Sequence, residues 1–483
     1  MLFDFRILAP VILSLFLGFY SKKYYIEIKQ DLVTDSENPL LVIGILSSQD
    51  NFAFREAARS TWLKTYGFNK NHSVKAYFII GQNSCNVPPE YRLSKYSCDK
   101  VPLNVSGVQK HFSSSYSINF NPESSKILKT FHQGFSFKIN YPLVVKKLGI
   151  LSNLLAPNTQ AKIAILDVQT KVSIVQAVVS SNDSHTAEGY YYQSVEEIML
   201  PKNFEGMVLV EGYLLDSSHT QMSWNDGGGV ITYMRIYTSL SHLDSIEYSP
   251  EIFVAPSIEF FVNDLNTLEK YIRKEEQITN EWISYTKNLS ININLEAAEY
   301  ADILLVDVVD IYRNLPSKLL KFYNWLSSNH EYSYVLKTDD DIVIDINRLL
   351  QKLKDDVLFN SSSNWLLSRF RKEWPVNYIG KWADYDYRSP IYPSFPCGAA
   401  YILSRNVVSW LHDNSDQLFP YQGEDVSMGI WLAAIKPEYI DDENFECDSR
   451  CHYLSYNRAQ LTPEQIYDVW SAYEKCNNLC SCK

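Results

Sequence analysis

Near-continuous apolar runs recur along the chain at Leu41 to Leu46, Val74 to Ile80, Ile303 to Val309 and Tyr334 to Thr338. Runs of this length that do not alternate with polar residues fit strands buried on both faces. Between the first two, NFAFREAARSTWLKTYG reads as a helix stopped by Gly67, which makes a βαβ unit and therefore a parallel sheet with a right-handed crossover. Leu319, Phe322, Tyr323 and Leu326 recur at helical spacing, as do Ile346, Leu349, Leu350 and Leu353, with Asp345 as N-cap of the second set. Val426, Ile430, Trp431 and Ala434 predict the inward face of another helix. From about residue 86 to 292 the pattern changes. KIAILDVQTKVSIVQAVVS, GMVLVEGYLL and GVITYMRIY alternate or are β-branched, with a turn at Gly227 to Gly229. The pattern predicts an α/β body with a mainly parallel central sheet, in two parts at residues 40–85 and 293–483, interrupted by a large β-rich insertion at 86–292.

At 483 residues the chain could hold about three ordinary domains, or one large α/β core with an insertion. Charged residues at 21% and aromatics at 14% describe a globular protein. A formal charge of −12 and the lack of any Lys/Arg-rich stretch exclude a phosphate-backbone binder, so no nucleic-acid partner is expected.

Ile7 to Tyr20 holds 14 uncharged residues between Arg6 and Lys22–Lys23. That is short of the roughly 20 residues of a usual span. It reads as a signal anchor within residues 1–26, reached if the lysines snorkel, ahead of a polar linker at 27–39; a cleaved signal and a buried helix are the alternatives. The eight cysteines and the N-x-S acceptors at Asn71, Asn104, Asn182, Asn288 and Asn360 point to an oxidising lumen. Cys85 and Cys98 are a natural local pair, and the cysteines of the last 37 residues staple the tail to the body. A zinc site from Cys447/Cys451 and Cys476/Cys480 is the competing reading.

The strand at 334–338 ends in Asp339, Asp340 and Asp341. Three adjacent acids repel, and a divalent cation that also takes pyrophosphate oxygens relieves them, although an acidic turn fits the same residues. Arg55 and Arg59, at i and i+4, share a helix face from which two guanidiniums could grip a diphosphate; the alternative is two solvated arginines. WPVNYIGKWADYDYRSPIYPSFPCGAAYILS reads as an aromatic wall on which sugars could stack, or as an ordinary packed loop. Within it, Lys381 and Gly398 are candidate nucleotide contacts. Glu424 and Asp425 open a helix, where the dipole keeps a carboxylate ionised; they are candidate bases or ordinary caps.

Taken in order, R-x-x-x-R-S-T-W (Arg55 to Trp62), E-Y-A-D-I-L (Glu299 to Leu304), K-T-D-D-D, Y-P-x-x-x-C-G-x-x-Y-x-L-S (Tyr392 to Ser404) and G-E-D-V resemble the β-1,3-glycosyltransferases of family 31. The likeness covers residues 40–81 and 293–483 and is weak through the insertion. It implies a GT-A type nucleotide-sugar-binding fold, a type II membrane protein of the Golgi or endoplasmic reticulum with a lumenal catalytic domain, and an inverting transferase using Mn²⁺ or Mg²⁺ and a UDP-sugar. It would put the metal on Asp341, with Asp339 and Asp340 near the donor and Asp425 as base. Relatives carry a metal-binding histidine after the base, and His452 is the position available here. DIYRNLPSKLLKFYNWL and YQGEDVSMGIWLAAI suggest UDP-GalNAc as donor and an N-acetylglucosamine-terminated glycan or glycoprotein as acceptor. Relatives with the same motifs use UDP-galactose or UDP-N-acetylglucosamine. A catalytically inactive glycan-binding or chaperone-like relative is the alternative from another class.

Overall fold

The computed structural model describes residues 39–64, 73–100, 111–118, 131–155, 157–182, 185–187, 189–212, 219–239, 256–262, 273–355, 362–377, 380–480 and 482. The expected anchor and the acceptor sites at Asn71, Asn104 and Asn360 lie outside them.

Seven strands form the central sheet: β1 (Leu41–Leu46), β2 (Val74–Asn83), β3 (Ile303–Val309), β4 (Tyr334–Asp339), β5 (Trp365–Ser368), β6 (Ala400–Ser404) and β7 (Glu438–Asp441). Their order is β3-β2-β1-β4-β6-β5-β7. β3, β2, β1 and β4 are mutually parallel, as the βαβ pattern predicts. β6 runs antiparallel to both β4 and β5, while β7 is parallel to β5. Six of the seven strands thus run in one direction and β6 opposes them, so the sheet is mainly parallel, as the pattern predicts, with one reversed strand. Among the described residues no α-helix lies between β5 and β6, and the long aromatic segment returns the chain antiparallel.

The helices are α1 (Phe52–Ser60), α2 (Glu275–Tyr300), α3 (Leu315–Asn329), α4 (Ile346–Asp355), α5 (Arg405–Asp413), α6 (Glu424–Leu432) and α7 (Pro463–Cys476). Every residue of β1 is buried. Leu41, Ile43 and Ile45 pack with Leu349 and Ile466 on one face, and Val42 and Leu46 with Leu319, Phe322 and Leu326 on the other. Gly44 is required here, since a Cβ would come within 2.6 Å of the Phe322 ring. Asp345 caps α4 as expected, accepting the Arg348 amide at 3.0 Å. Two boundaries differ from the sequence pattern. α1 stops at Ser60, where Thr61 Oγ1 donates to the Ala57 carbonyl at 2.5 Å. Ala434 lies beyond α6 and is exposed.

The described residues between 111 and 262 build two antiparallel sheets of five and six strands. Phe135, Phe137, Ile163 and Val208 of one meet Val145, Leu148, Ile258 and Phe260 of the other in a shared core. The β-rich pattern does not extend to residue 292, because α2 already starts at Glu275. Its C-terminal turn carries Glu296, buried against α1.

Candidate active site

The carboxyl ends of parallel strands leave orphan polar groups and a crevice where ligands bind in such sheets. Here a cleft of about 480 Å³ is lined by Asp339 and Asp341 from the end of β4, Glu424 and Asp425 from the start of α6, and Tyr312 from the turn before α3. Trp374, Lys381, Trp382, Tyr392, Phe395 and Gly398 form its aromatic wall, and Gln460 enters from the C-terminal segment. The wall and the G-E-D-V segment, distant in sequence from K-T-D-D-D, thus meet it in one cavity. Trp382 is 58% exposed and Trp374 40%, so both rings remain open to a ligand.

α6 starts against Gly398, where a Cβ would lie 3.1 Å from Asp425 Oδ2 and 3.2 Å from Glu424 Oε1. The glycine allows both carboxylates to approach the wall. Burial pushes Asp425 well above the ordinary carboxylate range, and Glu424 beside it adds to the rise. Asp339 is raised by burial, and the pull of Lys337 downward is opposed by Glu424 and Asp341. Asp341 is raised by burial and then by Asp340. Tyr312 is pushed up by burial and by Glu424 and Asp425. The site as a whole is short of positive charge. Lys381 stays on the cleft lining, its Nζ 4.5 Å from the centre of the Tyr312 ring.

The donor set suits a hard divalent ion shared with a nucleotide. Among the described residues no three His, Cys, Asp or Glu converge as a metal shell. A Mg²⁺-like ion commonly takes one or two carboxylates and completes its shell with phosphate oxygens and water. Asp339 and Asp341, both on the cleft, match that demand.

Several expected site residues lie elsewhere. Asp340 is buried away from the cleft and accepts Ser47 Oγ at 2.6 Å and Asn51 Nδ2 at 2.9 Å. Arg55 forms a two-pronged pair with Glu296 at 2.8 and 2.7 Å and is 1% exposed. Arg59 binds Glu296 and Asp302, each at 2.7 Å, and stacks over Tyr300 at 3.9 Å. Their shared helix face was read correctly, but acids of α2 and the turn after it take both guanidiniums, and neither lines the cleft. His452 is also outside it, with Nε2 3.2 Å from the Glu443 carbonyl and Nδ1 accepting the Leu454 amide. The cysteines replace the zinc reading with four disulfides, Cys85–Cys98, Cys397–Cys447, Cys451–Cys480 and Cys476–Cys482. Cys397–Cys447 ties the tail into the cleft wall.

Three residues were missed. Lys337 had a signal, a lone cation in an apolar strand. Tyr312 sits in an unremarkable turn, and Gln460 in a segment with no pattern at all. The backbone of Gln460 is left-handed, at φ 61°, and the next amide donates to the Asp341 carbonyl at 3.0 Å. Tertiary pairing of the tail with residues 343–344 puts it there.

The family model described as Galactosyltransferase matches residues 283–443. The Danio rerio protein named UDP-GalNAc:beta-1,3-N-acetylgalactosaminyltransferase 2 is 34% identical over 457 residues, covering 92% of this chain and 91% of its own. The Homo sapiens protein of that name is 32% identical over 464 residues, covering 92% and 89%. Beta-1,3-galactosyltransferase 6 of Mus musculus is 28% identical over 182 residues, 36% of this chain and 55% of its own. Alignments covering 92% of the chain necessarily run through the two β-sheets of residues 111–262, so the likeness extends beyond the motif-bearing stretches.

Proposed function

The chain belongs to family 31, the β-1,3-glycosyltransferases, and on that premise we propose that it transfers N-acetylgalactosamine from UDP-GalNAc, with inversion, to an N-acetylglucosamine-terminated glycan. The observation that carries this reading is the meeting of two separate carboxylate sets, Asp339/Asp341 and Glu424/Asp425, beneath one aromatic wall. In this reading Asp425 takes the proton of the acceptor hydroxyl as that oxygen attacks the anomeric carbon on the face opposite UDP, whose bond to the sugar breaks. One base without an enzymic nucleophile inverts the centre. Burial suits Asp425 to the task by holding its proton affinity above that of a free carboxylate.

Asp341 and Asp339 would hold Mn²⁺ or Mg²⁺ in a GT-A type fold. When bound, the ion supplies positive charge to offset the charge developing on the UDP leaving group. Trp374 and Trp382 offer ring faces on which sugar C–H groups stack, and Lys381 and Gly398 would border the nucleotide. Four disulfides fit an oxidising lumen, and with an anchor at residues 7–26 the protein would face the lumen of the Golgi or endoplasmic reticulum.

A panel of UDP-sugars assayed with Mn²⁺ and acceptors ending in N-acetylglucosamine tests the assignment. Preferred transfer from UDP-GalNAc is expected. Transfer only from UDP-galactose would refute the donor.

A further inference from the structure

Lys337 is a charged residue in the middle of β4 and is 0% exposed. Its neighbours Val335, Leu336 and Thr338 are also buried. Burial of an ammonium is tolerated only when each of its three N–H groups finds a partner. Lys337 Nζ meets that condition with Asp339 at 2.8 Å, Glu424 at 2.6 Å and the Gly398 carbonyl. These three come from three parts of the cleft: the end of β4, the first residue of α6, and the wall. Glu424 is itself buried and adjoins Asp425.

We propose that Lys337 is a positioning residue for transfer, a buried cation that fixes the start of α6, and so the base Asp425, relative to the donor-side carboxylate Asp339. This rests on the reading of Asp425 as base. The ammonium touches no reacting atom in this scheme. Without it, Glu424 and Asp339 would face each other uncompensated, and the first turn of α6 would move away from β4. A base displaced by about 1 Å loses roughly 10²-fold in rate.

The test uses the full chain with Lys337→Met, which removes the charge and keeps an unbranched apolar side chain. Thermal unfolding, Mn²⁺-dependent UDP binding, and kcat and KM for transfer are measured together. The expected result is a cooperative fold, acceptor KM within about threefold of wild type, and kcat lower by roughly 10². Glu424→Gln added to Lys337→Met should cost less than about threefold more, because residues that act as a unit are not additive. A merely structural ion pair predicts instead a lower unfolding temperature with kcat near that of wild type, and this outcome overturns the proposal, as do losses that simply multiply. If Lys337→Met does not fold, Lys337→Gln, which is shorter and keeps N–H donors, carries the same readings; failure of both to fold assigns Lys337 to the fold alone. A wild-type chain that transfers from no UDP-sugar sinks the functional reading and this proposal with it. An active wild type with unimpaired variants sinks only the proposal.

Discussion

Asp340 and Ser47, 293 residues apart, are joined by a 2.6 Å hydrogen bond in which the serine hydroxyl donates. Ser47 in turn accepts from Arg55 at 3.0 Å. The central aspartate of the triplet is thereby clasped by the loop after β1, and α1 reaches the acidic cluster indirectly. Asn51, which stands where a helix cap would, makes no side-chain cap bond and donates to Asp340 instead.

The three aspartates should therefore separate in a metal titration. Asp340→Asn keeps an acceptor for Ser47 and faces away from the cleft, so Mn²⁺ affinity should stay within about threefold of wild type. Calorimetry in the absence of substrate reads this directly. Loss of Mn²⁺ binding on the scale of Asp341→Asn would show that Asp340 turns into the cleft.

Arg55→Ala should act on stability. It leaves buried Glu296 with Arg59 as its remaining partner, and breaking a buried pair costs about 3–5 kcal/mol. Burial raises Glu296, but hydrogen bonds and charge from Arg55 and Arg59 outweigh it, so its carboxyl lies below the ordinary range. Its contribution to stability is present above the ordinary carboxylate range and is lost as pH falls through the lowered value. Denaturant unfolding of Arg55→Ala should thus show a smaller loss of stability on acidification than wild type. A diphosphate-gripping Arg55 would instead lose UDP affinity in a protein of normal stability.

The two antiparallel sheets should fold without the catalytic body. Among the described residues, the core that joins them draws on residues from Phe135 to Val262 alone. A fragment of residues 101–272 is expected to unfold in one cooperative denaturant transition. A broad, non-cooperative transition would show that the sheets need the body's contacts, such as Lys202 donating to the Glu90 carbonyl at 2.8 Å.

Legibility in the sequence followed the range of the forces involved. β1, β3, α3 and the cap of α4 were readable because burial and capping act over a few residues: the Ile303–Val309 strand and the Asp345 cap both lie where the pattern put them. The reversal of β6 was not, since strand direction depends on where the aromatic segment returns. The acids of the site announced themselves by clustering. The fate of Arg55 and Arg59 did not, because Glu296 and Asp302 lie more than 230 residues away in sequence. Gln460, not His452, enters the cleft for the same reason. Residue types identify who could do chemistry, while pairing across the fold decides who faces the cavity.

Asp341 and Asp425 line the same cleft but serve different steps in the proposed reaction, and one substitution in each distinguishes them. Asp341→Asn replaces a charged oxygen ligand by a neutral one, so Mn²⁺ and UDP-sugar affinity should fall together with turnover. Asp425→Asn keeps the shape and can still accept the Val426 amide that Oδ1 accepts at 2.8 Å, but it cannot take a proton. Turnover should then fall by roughly 10² to 10⁴ while donor affinity changes little. Isothermal titration with UDP and Mn²⁺, run beside single-turnover transfer, separates the two patterns. Near-normal transfer by Asp425→Asn would end its candidacy and make Glu424 the carboxylate to test. Against Glu424 stands its position: its Oε1 already accepts from the buried Lys337 ammonium at 2.6 Å.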